Sequence, residues 1–344
     1  MIEIDGSQGE GGGQVLRSAL SLSLLTRKAF RMHAIRARRK PKAGLQPQHL
    51  ASVRAAAAIG AATIAGDSIG SSVLTFEPGP VQPGKYRFPI GTAGATGLVL
   101  QTVYLPLAWQ ANGPSEVVLE GGTHVSTSPC FHFLDTTWRA YLAKLGLHLR
   151  LEMVRPGFYP RGGGQVIVYI QPCSAIKPLR LMDTPPIYTA VGFSAVAGLP
   201  DHVAKRQARR AVERLHRAGI EAEFAQQEWE GGPGSVLGIT LDQAPVPTFF
   251  FGLGARGKPA ETVADEAADQ AIAFAKSAAP VDAHSADQIL LPLVLASGAS
   301  EFRIAAITKH LTTNIDVIRM FVDRSIEFDG AEGSPGVVRV GSEL

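Results

Sequence analysis

The chain has 344 residues, of which 45% are apolar and 18% are charged, a composition typical of globular proteins and not of disordered ones. A net charge of +3 is too small to draw the whole molecule to nucleic acid, so any such contact needs a local basic patch. The two cysteines, Cys130 and Cys173, exclude a disulfide framework and a multi-cysteine zinc site. Without a leader-like or membrane-length apolar segment, the expectation is a cytoplasmic protein with no membrane contact.

The first predicted strand, at residues 2–5, leads into a glycine-rich turn with the sequence GSQGEGGG at residues 6–13. Glycine allows positive φ angles and close backbone approach, so such a turn before a helix exposes N–H groups to an anion. The spacing matches neither GxGxxG nor GxxxxGK followed by Ser or Thr. The alternative interpretation is a tight strand-to-helix turn without a ligand.

Three segments share a glutamine at the start of an apolar helix, and these glutamines are Gln14, Gln101 and Gln288. Each helix is followed by a strand-like run, a polar loop, a second helical pattern and a hairpin. The hairpins are predicted at residues 62–77, 147–170 and 325–340. A repeated β-α-β-α-β-β unit therefore accounts for most of the chain.

The two gaps between these glutamines differ by the size of a small domain. The first gap is 101 − 14 = 87 residues and the second is 288 − 101 = 187 residues. The second gap is therefore longer by about the length of a small domain, and proline-containing breaks at residues 183–186 and 278–280 mark the ends of these extra residues. They contain four strand candidates and two helical patterns. The predicted fold is mixed α+β or α/β, with a three-unit domain at 1–183 and 280–344 and a smaller α+β domain inserted at 184–279.

Five cations lie among the seven residues 36–42, with the sequence RARRKPK. Such a run is usually a solvated loop, but this one occupies the same strand-to-helix connection as GGTH at 121–124 and TKH at 308–310. Loops of repeated units gather on one face, so cations, a carboxylate and a histidine are expected to surround a polyanion. A second basic run, in the helical pattern at 201–218, is interpreted as a solvated face, with RNA contact as the alternative.

His310 precedes the sequence TNID at 313–316, whose spacing predicts a helix N-cap and capping box at Thr313. The positive potential of a helix N-terminus disfavours the imidazolium form, and neutral imidazole is a nucleophile. A histidine beside a phosphate-binding helix end is suited to covalent nucleotidyl transfer. A structural histidine is the alternative.

Together these motifs closely resemble the RNA 3′-terminal phosphate cyclase family along nearly the whole chain. The resemblance is carried by DGSQGEGGGQVLRS at 5–18, QHL at 48–50, LQT at 100–102, GFYPRGGG at 157–164, ADQ at 286–288 and HLTTN at 310–314. Members of that family have three repeats in a large domain and a smaller domain inserted before the last repeat. The spacing of the glutamines gives the same layout.

The resemblance implies an ATP-dependent ligase that uses a divalent metal ion, Mg or Mn, and acts on RNA with a 3′-phosphate end. A histidine, matched here by His310, attacks the α-phosphorus of ATP to form histidyl-AMP and release pyrophosphate. AMP then passes to the RNA 3′-phosphate, giving an RNA-(3′)pp(5′)A end. Finally the neighbouring 2′-OH closes a 2′,3′-cyclic phosphate and expels AMP.

The resemblance also implies roles for individual side chains. Glu10 is matched to the metal ion or its water shell. Phosphate and RNA-end binding is implied for Arg17, Arg36, Arg38, Arg39 and Gln48. The adenylate is implied to border Gln101, Pro129, His284, Asp287 and Gln288, with His284 standing where a tyrosine is expected.

Two other functions are compatible with parts of this pattern. One is a non-catalytic, RNA-binding ribosome-biogenesis factor of the same fold, a class that lacks the nucleophilic histidine. The other is a small-molecule transferase of enolpyruvyl-transferase-like architecture, which is also built from repeated β-α-β-α-β-β units. The presence of His310 argues against the first, and the segment 9–17 together with His310 argues against the second.

Overall fold

The computed structural model describes residues 1–39 and 42–342. The first sheet comprises β1 (Ile2–Asp5), β2 (Phe30–His33), β3 (Thr63–Ala65) and β4 (Leu74–Glu77), in the order β1-β2-β4-β3. Helices α1 (Gly13–Thr26) and α2 (Pro47–Ile59) connect its strands. Strands β1 and β2 are parallel, whereas β3 and β4 form an antiparallel hairpin.

The second sheet comprises β5 (Lys85–Pro89), β6 (Ser115–Gly121), β7 (Leu149–Arg155) and β8 (Gly164–Ile170), in the order β5-β6-β8-β7. Helix α3 (Thr96–Trp109) follows β5. After β6 the chain forms α4 (Phe131–Phe133), a π-helical turn (Leu134–Trp138) and α5 (Arg139–Lys144). The strand order is thus the same as in the first sheet.

Strand β9 (Arg180–Leu181) belongs to a third sheet, which the chain completes only after residues 189–253 have formed a separate, fourth sheet. The fourth sheet comprises β10 (Thr189–Ala197), β11 (Glu221–Trp229), β12 (Gly234–Leu241) and β13 (Thr248–Leu253), in the order β11-β10-β12-β13. Helices α6 (Asp201–Arg217) and α7 (Ala260–Ser277) pack side by side against it.

The remaining elements return to β9 and complete the third sheet. They are α8 (Ala283–Leu293), β14 (Ser300–Ile304), α9 (Lys309–Phe321), β15 (Ile326–Asp329) and β16 (Gly336–Val340). The strand order β9-β14-β16-β15 is again a parallel pair followed by an antiparallel hairpin. The mixed α+β fold and the three expected hairpins are therefore confirmed.

Two large and two small apolar clusters form the core of the described residues. The first large cluster extends through the first three sheets and their helices and includes Val246 and Phe249, and the second fills the space between the fourth sheet and helices α6 and α7. One small cluster joins Phe158 to the fourth sheet. Helix α1 is apolar on nearly all sides and is buried accordingly, packed against α2, α3 and α9. Its few polar side chains therefore have to find partners inside the protein.

Helix α9 begins earlier than the sequence predicted. Its N-cap is Thr308, whose hydroxyl accepts a hydrogen bond of 3.1 Å from the Leu311 N–H, so the predicted cap at Thr313 is wrong. The buried series Leu311, Ile315 and Ile318 extends one turn further toward the N-terminus than the capping-box pattern indicated. His310 consequently lies in the first turn of α9.

The basic run on α6 is largely neutralised. Arg206, Arg210 and Arg214 recur every four residues and form ion pairs with carboxylates of α7. These three side chains keep contact with solvent, as the interpretation of a solvated face requires, but the neighbouring helix supplies the opposite charge. The pairing also disfavours α6 as a surface for RNA.

No helix in residues 1–39 and 42–342 has the length and apolar content that crossing a bilayer requires.

A buried threonine joins the π-helical turn to the fourth sheet. The Thr137 hydroxyl donates to the Pro247 carbonyl at 2.9 Å and accepts from the Phe249 N–H at 2.8 Å. Thr137 is fully buried, so neither backbone group has water as a substitute partner.

Replacing Thr137 by valine preserves the side-chain shape but removes both hydrogen bonds. We expect Thr137→Val to lower the free energy of unfolding by about 1–3 kcal/mol, since two buried backbone groups lose their partner. Chemical denaturation measures the loss. Thr63→Val, at an exposed position of β3, is the matched control and should change stability by less than about 0.5 kcal/mol. Equal stability of the two variants would contradict the proposed coupling.

Candidate active site

A cavity of about 480 Å³ lies where α1, α3, α8 and α9 meet strand β13. Aromatic and aliphatic side chains form much of its wall: Leu98, Tyr104, Phe133, Trp138, Phe249, Phe250, Phe251 and Leu291. Polar side chains converge at one part of it. A largely apolar concavity with a few placed polar groups is typical of small-molecule sites.

The three glutamines that defined the internal repeat all line this cavity. The Gln101 amide donates to the Gln288 amide oxygen at 2.6 Å, which joins α3 to α8. Gln14 lies in the first turn of α1 and is buried. Positions that are far apart in the sequence thus form one polar surface.

Gln14 links a carboxylate to a histidine. Its amide nitrogen donates to Asp287 Oδ2 at 2.8 Å, and its amide oxygen lies 2.5 Å from Nδ1 of His310. An amide oxygen can only accept, so Nδ1 of His310 must carry the proton. In the neutral ring this leaves Nε2 with a free lone pair.

The surroundings of His310 favour the neutral ring. Burial lowers the pKa of His310 below its usual value of 6.5, and the charge of Arg17 lowers it further. The carboxylate of Glu10 acts in the opposite direction but does not reverse the shift. His310 is therefore an uncharged potential nucleophile at neutral pH.

The N-terminus of α1 provides an anion-binding environment beside this histidine. Its N-cap is Gly12, with no capping side chain and no acidic residue in the first turn. The first N–H groups therefore have no side-chain partner and carry the positive end of the helix dipole. A Cβ on Gly13 would lie 2.5 Å from His49 Nε2 and 2.7 Å from Arg17 Nη1, so any other residue here would displace these side chains.

Arg17 adds a full positive charge to this environment. Burial lowers the pKa of Arg17 to about 10, which still leaves it protonated at neutral pH. No residue in the described ranges forms a hydrogen bond or an ion pair with its guanidinium. The neighbouring His49 stays neutral, because burial lowers its pKa to about 3, and its Nδ1 accepts from the Gln46 N–H.

The glycine-rich turn is docked directly onto α9. Gly9 has a φ of +59°, and a Cβ there would lie 2.2 Å from Thr313 Oγ1. That hydroxyl instead accepts from the Glu10 N–H at 3.0 Å. Thr313 thus holds the turn that carries Glu10 against the helix that carries His310.

Asp287 is a half-buried acid that lines the cavity. Burial raises its pKa to about 7, and the charge of Asp282 adds to this effect, whereas Arg17 opposes it. Asn314 fixes the same region, since its amide donates to the Asp287 carbonyl at 2.8 Å and accepts from the Ser18 hydroxyl at 2.6 Å.

Seven of the twelve residues matched to the family line the cavity: Arg17, Gln101, Pro129, His284, Asp287, Gln288 and His310. Glu10 lies beside it and forms an ion pair with Arg39. Both of these charged groups influence the pKa of His310, so the expected meeting of cations, a carboxylate and a histidine is observed for Arg17, Arg39, Glu10 and His310.

The other three residues are not brought to the cavity lining. Arg36 donates to the carbonyls of Lys42 and Gly44 at 2.9 and 3.0 Å, which holds its own loop together. Arg38 is exposed. The Gln48 amide oxygen accepts from the Ala95 N–H at 3.4 Å. Lys40 and Pro41 of the basic run lie outside the described residues, and the ligand roles of all three residues stay predictions.

The donor set for a metal ion is small. Residues 1–39 and 42–342 contain no group of three or more His, Cys, Asp or Glu side chains placed to hold one. Glu10 is a single carboxylate, already paired with Arg39. It fits an ion such as Mg²⁺ that takes one protein carboxylate and completes its shell with water and phosphate oxygens.

Sequence reasoning missed several residues of the site. Gln14 was noted only as a repeat marker and Asn314 only as part of a capping pattern. The aromatic wall at 249–251 belongs to the inserted segment, which was expected to be separate. The signal that was available is the run Thr248-Phe249-Phe250-Phe251, because three successive aromatics in one strand cannot all face the same core.

The family profile of RNA 3′-terminal phosphate cyclases matches residues 8–328. A protein named RNA 3′-terminal phosphate cyclase from Ectopseudomonas mendocina is 43% identical over 339 residues, or 98% of this chain and 97% of the relative. Its namesake from Pseudomonas fluorescens is 45% identical over 95% of this chain and 94% of the relative. The namesake from Caldivirga maquilingensis is 43% identical over the same shares. The resemblance seen in the motifs is confirmed, and the chain belongs to the RNA 3′-terminal phosphate cyclase family.

Proposed function

We propose that this protein uses ATP to convert an RNA 3′-phosphate into a 2′,3′-cyclic phosphate; its relatives carry the name RNA 3′-terminal phosphate cyclase, which supports a cyclase activity on such ends. The observation that carries the proposal is the hydrogen-bond chain from Asp287 through Gln14 to His310. It presents a neutral histidine with Nε2 free, at the wall of a cavity large enough for a nucleotide.

In the first step, Nε2 of His310 attacks the α-phosphorus of ATP, so that a P–N bond forms and the bond to pyrophosphate breaks. The ring then carries a positive charge, and its Nδ1–H donates to the amide oxygen of Gln14. The N–H groups at the start of α1 and the Arg17 guanidinium stabilise the negative charge that develops on the phosphate oxygens.

Neutral imidazole is a good leaving group, so the AMP is ready for transfer to a 3′-phosphate oxygen of the RNA. The resulting anhydride can expel AMP, whereas a free phosphate monoester would have to expel oxide or hydroxide. The 2′-OH then attacks the adjacent phosphorus, and its proximity replaces an intermolecular collision.

The aromatic wall suits the adenine ring, since Phe249, Phe251 and Trp138 offer apolar surface. Gln101 and Gln288 offer amide groups to the ring edge, with Pro129 and His284 at the same cavity. Glu10 would hold the divalent metal ion, which supplies charge neutralisation at the phosphates. Arg36, Arg38, Arg39 and Gln48 are proposed to contact the RNA end.

We further propose that the first three sheets are copies of one β-α-β-α-β-β unit, which their common strand order supports. Residues 1–183 and 280–344 would form the three-unit domain, and 184–279 the inserted one. The apolar cluster between the fourth sheet and helices α6 and α7 supports this division. The cytoplasmic location stays a prediction.

The alternatives are weaker. A purely RNA-binding factor has no use for a histidine held in one tautomer beside an uncapped helix N-terminus. A small-molecule transferase has no use for that nucleophile either.

The test of the function is turnover. With ATP and Mg²⁺ or Mn²⁺, we expect the protein to convert the end of an RNA 3′-phosphate to a form that resists phosphatase, and to release AMP. An RNA with a 3′-OH should stay unchanged. Without RNA, ATP should give an acid-labile mass increase of one AMP on His310.

His310→Ala should abolish both the adduct and turnover, because it removes the nitrogen that attacks the α-phosphorus. His148→Ala, which removes an exposed histidine, is the matched control and should keep both. An adduct of normal yield on His310→Ala would refute the assignment.

Gln14→Leu tests the tautomer. The substitution keeps the side chain's size but removes the acceptor for Nδ1–H, so we expect the rate constant of adduct formation to fall on the order of 10²-fold. The KM for ATP should change less. In the wild type the rate should be flat from neutral to alkaline pH and fall only below the usual imidazole pKa of 6.5, since the pKa of His310 is lowered. Gln82→Leu, at an exposed position, is the control; a normal rate for Gln14→Leu would contradict the role.

Glu10→Gln removes one charge without changing shape. We expect it to need at least about tenfold more metal ion for adduct formation, with an unchanged circular dichroism spectrum. Glu3→Gln, at an exposed position of β1, should titrate like the wild type. An unaltered metal titration of Glu10→Gln would exclude a ligand role.

A further inference from the structure

The turn between β7 and β8, at residues 156–163, contains most of the motif GFYPRGGG, which the chemistry above does not use. Strands β5 and β6 are parallel, and β8 starts opposite the carboxyl end of β6, with Gly164 paired to Gly121. The turn therefore lies at the edge of the second sheet from which the chain enters α3 and the cavity.

Backbone contacts connect this turn to the active site. A Cβ on Gly162 would lie 2.8 Å from the Thr92 carbonyl oxygen, so the turn packs directly on the loop before α3. The same loop contacts Gln48, whose amide oxygen accepts from the Ala95 N–H. Helix α3, which starts at the next residue, carries Gln101 into the cavity.

Two side chains of this turn, those of Tyr159 and Arg161, are exposed to solvent. Tyr159 is 76% exposed, the highest value among the large aromatic side chains in the described residues. Arg161 forms no hydrogen bond or ion pair with any part of the chain that the structure describes. The turn itself is fixed, since the Gly162 N–H donates to Phe158 at 2.7 Å and Arg155 donates to Gly163 at 2.6 Å.

The corresponding turns of the first and third sheets differ in chemistry. Residues 66–73 expose Ile69, at 59%, and contain no aromatic residue and no Lys or Arg. Residues 330–335 contain Glu332 and no cation. Of these three turns, only the second combines an exposed aromatic ring with an unpaired guanidinium.

The basic surface of α6 is less suitable for a polyanion. The cations of α6 are paired with α7, and the neighbouring edge strand β11 exposes Glu221, Glu223 and Glu228. An aromatic ring for stacking and an Arg for phosphate are the groups with which proteins hold single-stranded nucleic acid.

We propose that Tyr159 and Arg161 bind the RNA strand upstream of its 3′-terminal nucleotide, with a base stacked on Tyr159 and a backbone phosphate paired with Arg161. This inference rests on the proposed function. It names a strand-binding site distinct from the cavity where the reaction takes place.

The test measures RNA affinity without turnover. In the His310→Ala background, a fluorescent single-stranded RNA of about ten nucleotides with a 3′-phosphate is titrated by anisotropy. We expect Tyr159→Ala to weaken binding about 5- to 150-fold and Tyr159→Trp to restore it, since any aromatic face can stack a base. Arg161→Ala should reduce the slope of log K against log salt concentration by about 0.7.

Two controls separate the possible failures. Ile69→Ala removes an exposed apolar side chain from the corresponding turn and should bind within twofold of its parent. In a protein that retains His310, the single substitution Tyr159→Ala should leave the rate of AMP adduct formation unchanged. Binding of Tyr159→Ala within twofold of its parent, or equal weakening by Ile69→Ala, would overturn the inference. Absence of turnover by the wild type would overturn the proposed function, while a loss of affinity in Tyr159→Ala would still support the RNA contact.

Discussion

The hydrogen bond between Nδ1 of His310 and the amide oxygen of Gln14 is the interaction on which the site depends. It joins the first turns of α1 and α9, two helices that belong to different sheets. A bond of 2.5 Å demands that these helix ends be fixed within a few tenths of an ångström. The glycine-rich turn provides this precision, because the missing Cβ of Gly9 lets Thr313 approach and hold the Glu10 N–H.

The electrostatics of the site follow from the same arrangement. Burial disfavours charge on both His310 and Asp287, so it lowers the pKa of the first and raises that of the second. Arg17 is the exception, because its guanidinium keeps its proton even when buried. Within the described residues, the site therefore places the unpaired charge of Arg17 near an uncharged imidazole, a combination that suits an anion better than a protonated histidine.

Local patterns in the sequence were sufficient for much of the fold. The three hairpins and the strands of the fourth sheet could be predicted from turn residues and from the alternation of apolar and polar residues, which are signals that span only a few positions. The N-cap of α9 was misplaced because Thr313 satisfies a capping pattern locally, although its hydroxyl binds Glu10, 303 residues away in the sequence. The role of Gln14 was missed for the same reason, since both of its partners lie more than 270 residues further along.

The inserted segment shows why a site can need parts that the sequence assigns to separate domains. Strand β13 belongs to the fourth sheet, yet Phe249, Phe250 and Phe251 form a wall of the cavity. Thr137 binds the backbone on both sides of this strand's start, so the π-helical turn sets its position. A change in the packing of the fourth sheet would therefore alter the aromatic wall while leaving the His310–Gln14 bond intact. The shape of the aromatic wall and the geometry of His310 thus depend on two different contacts within one cavity.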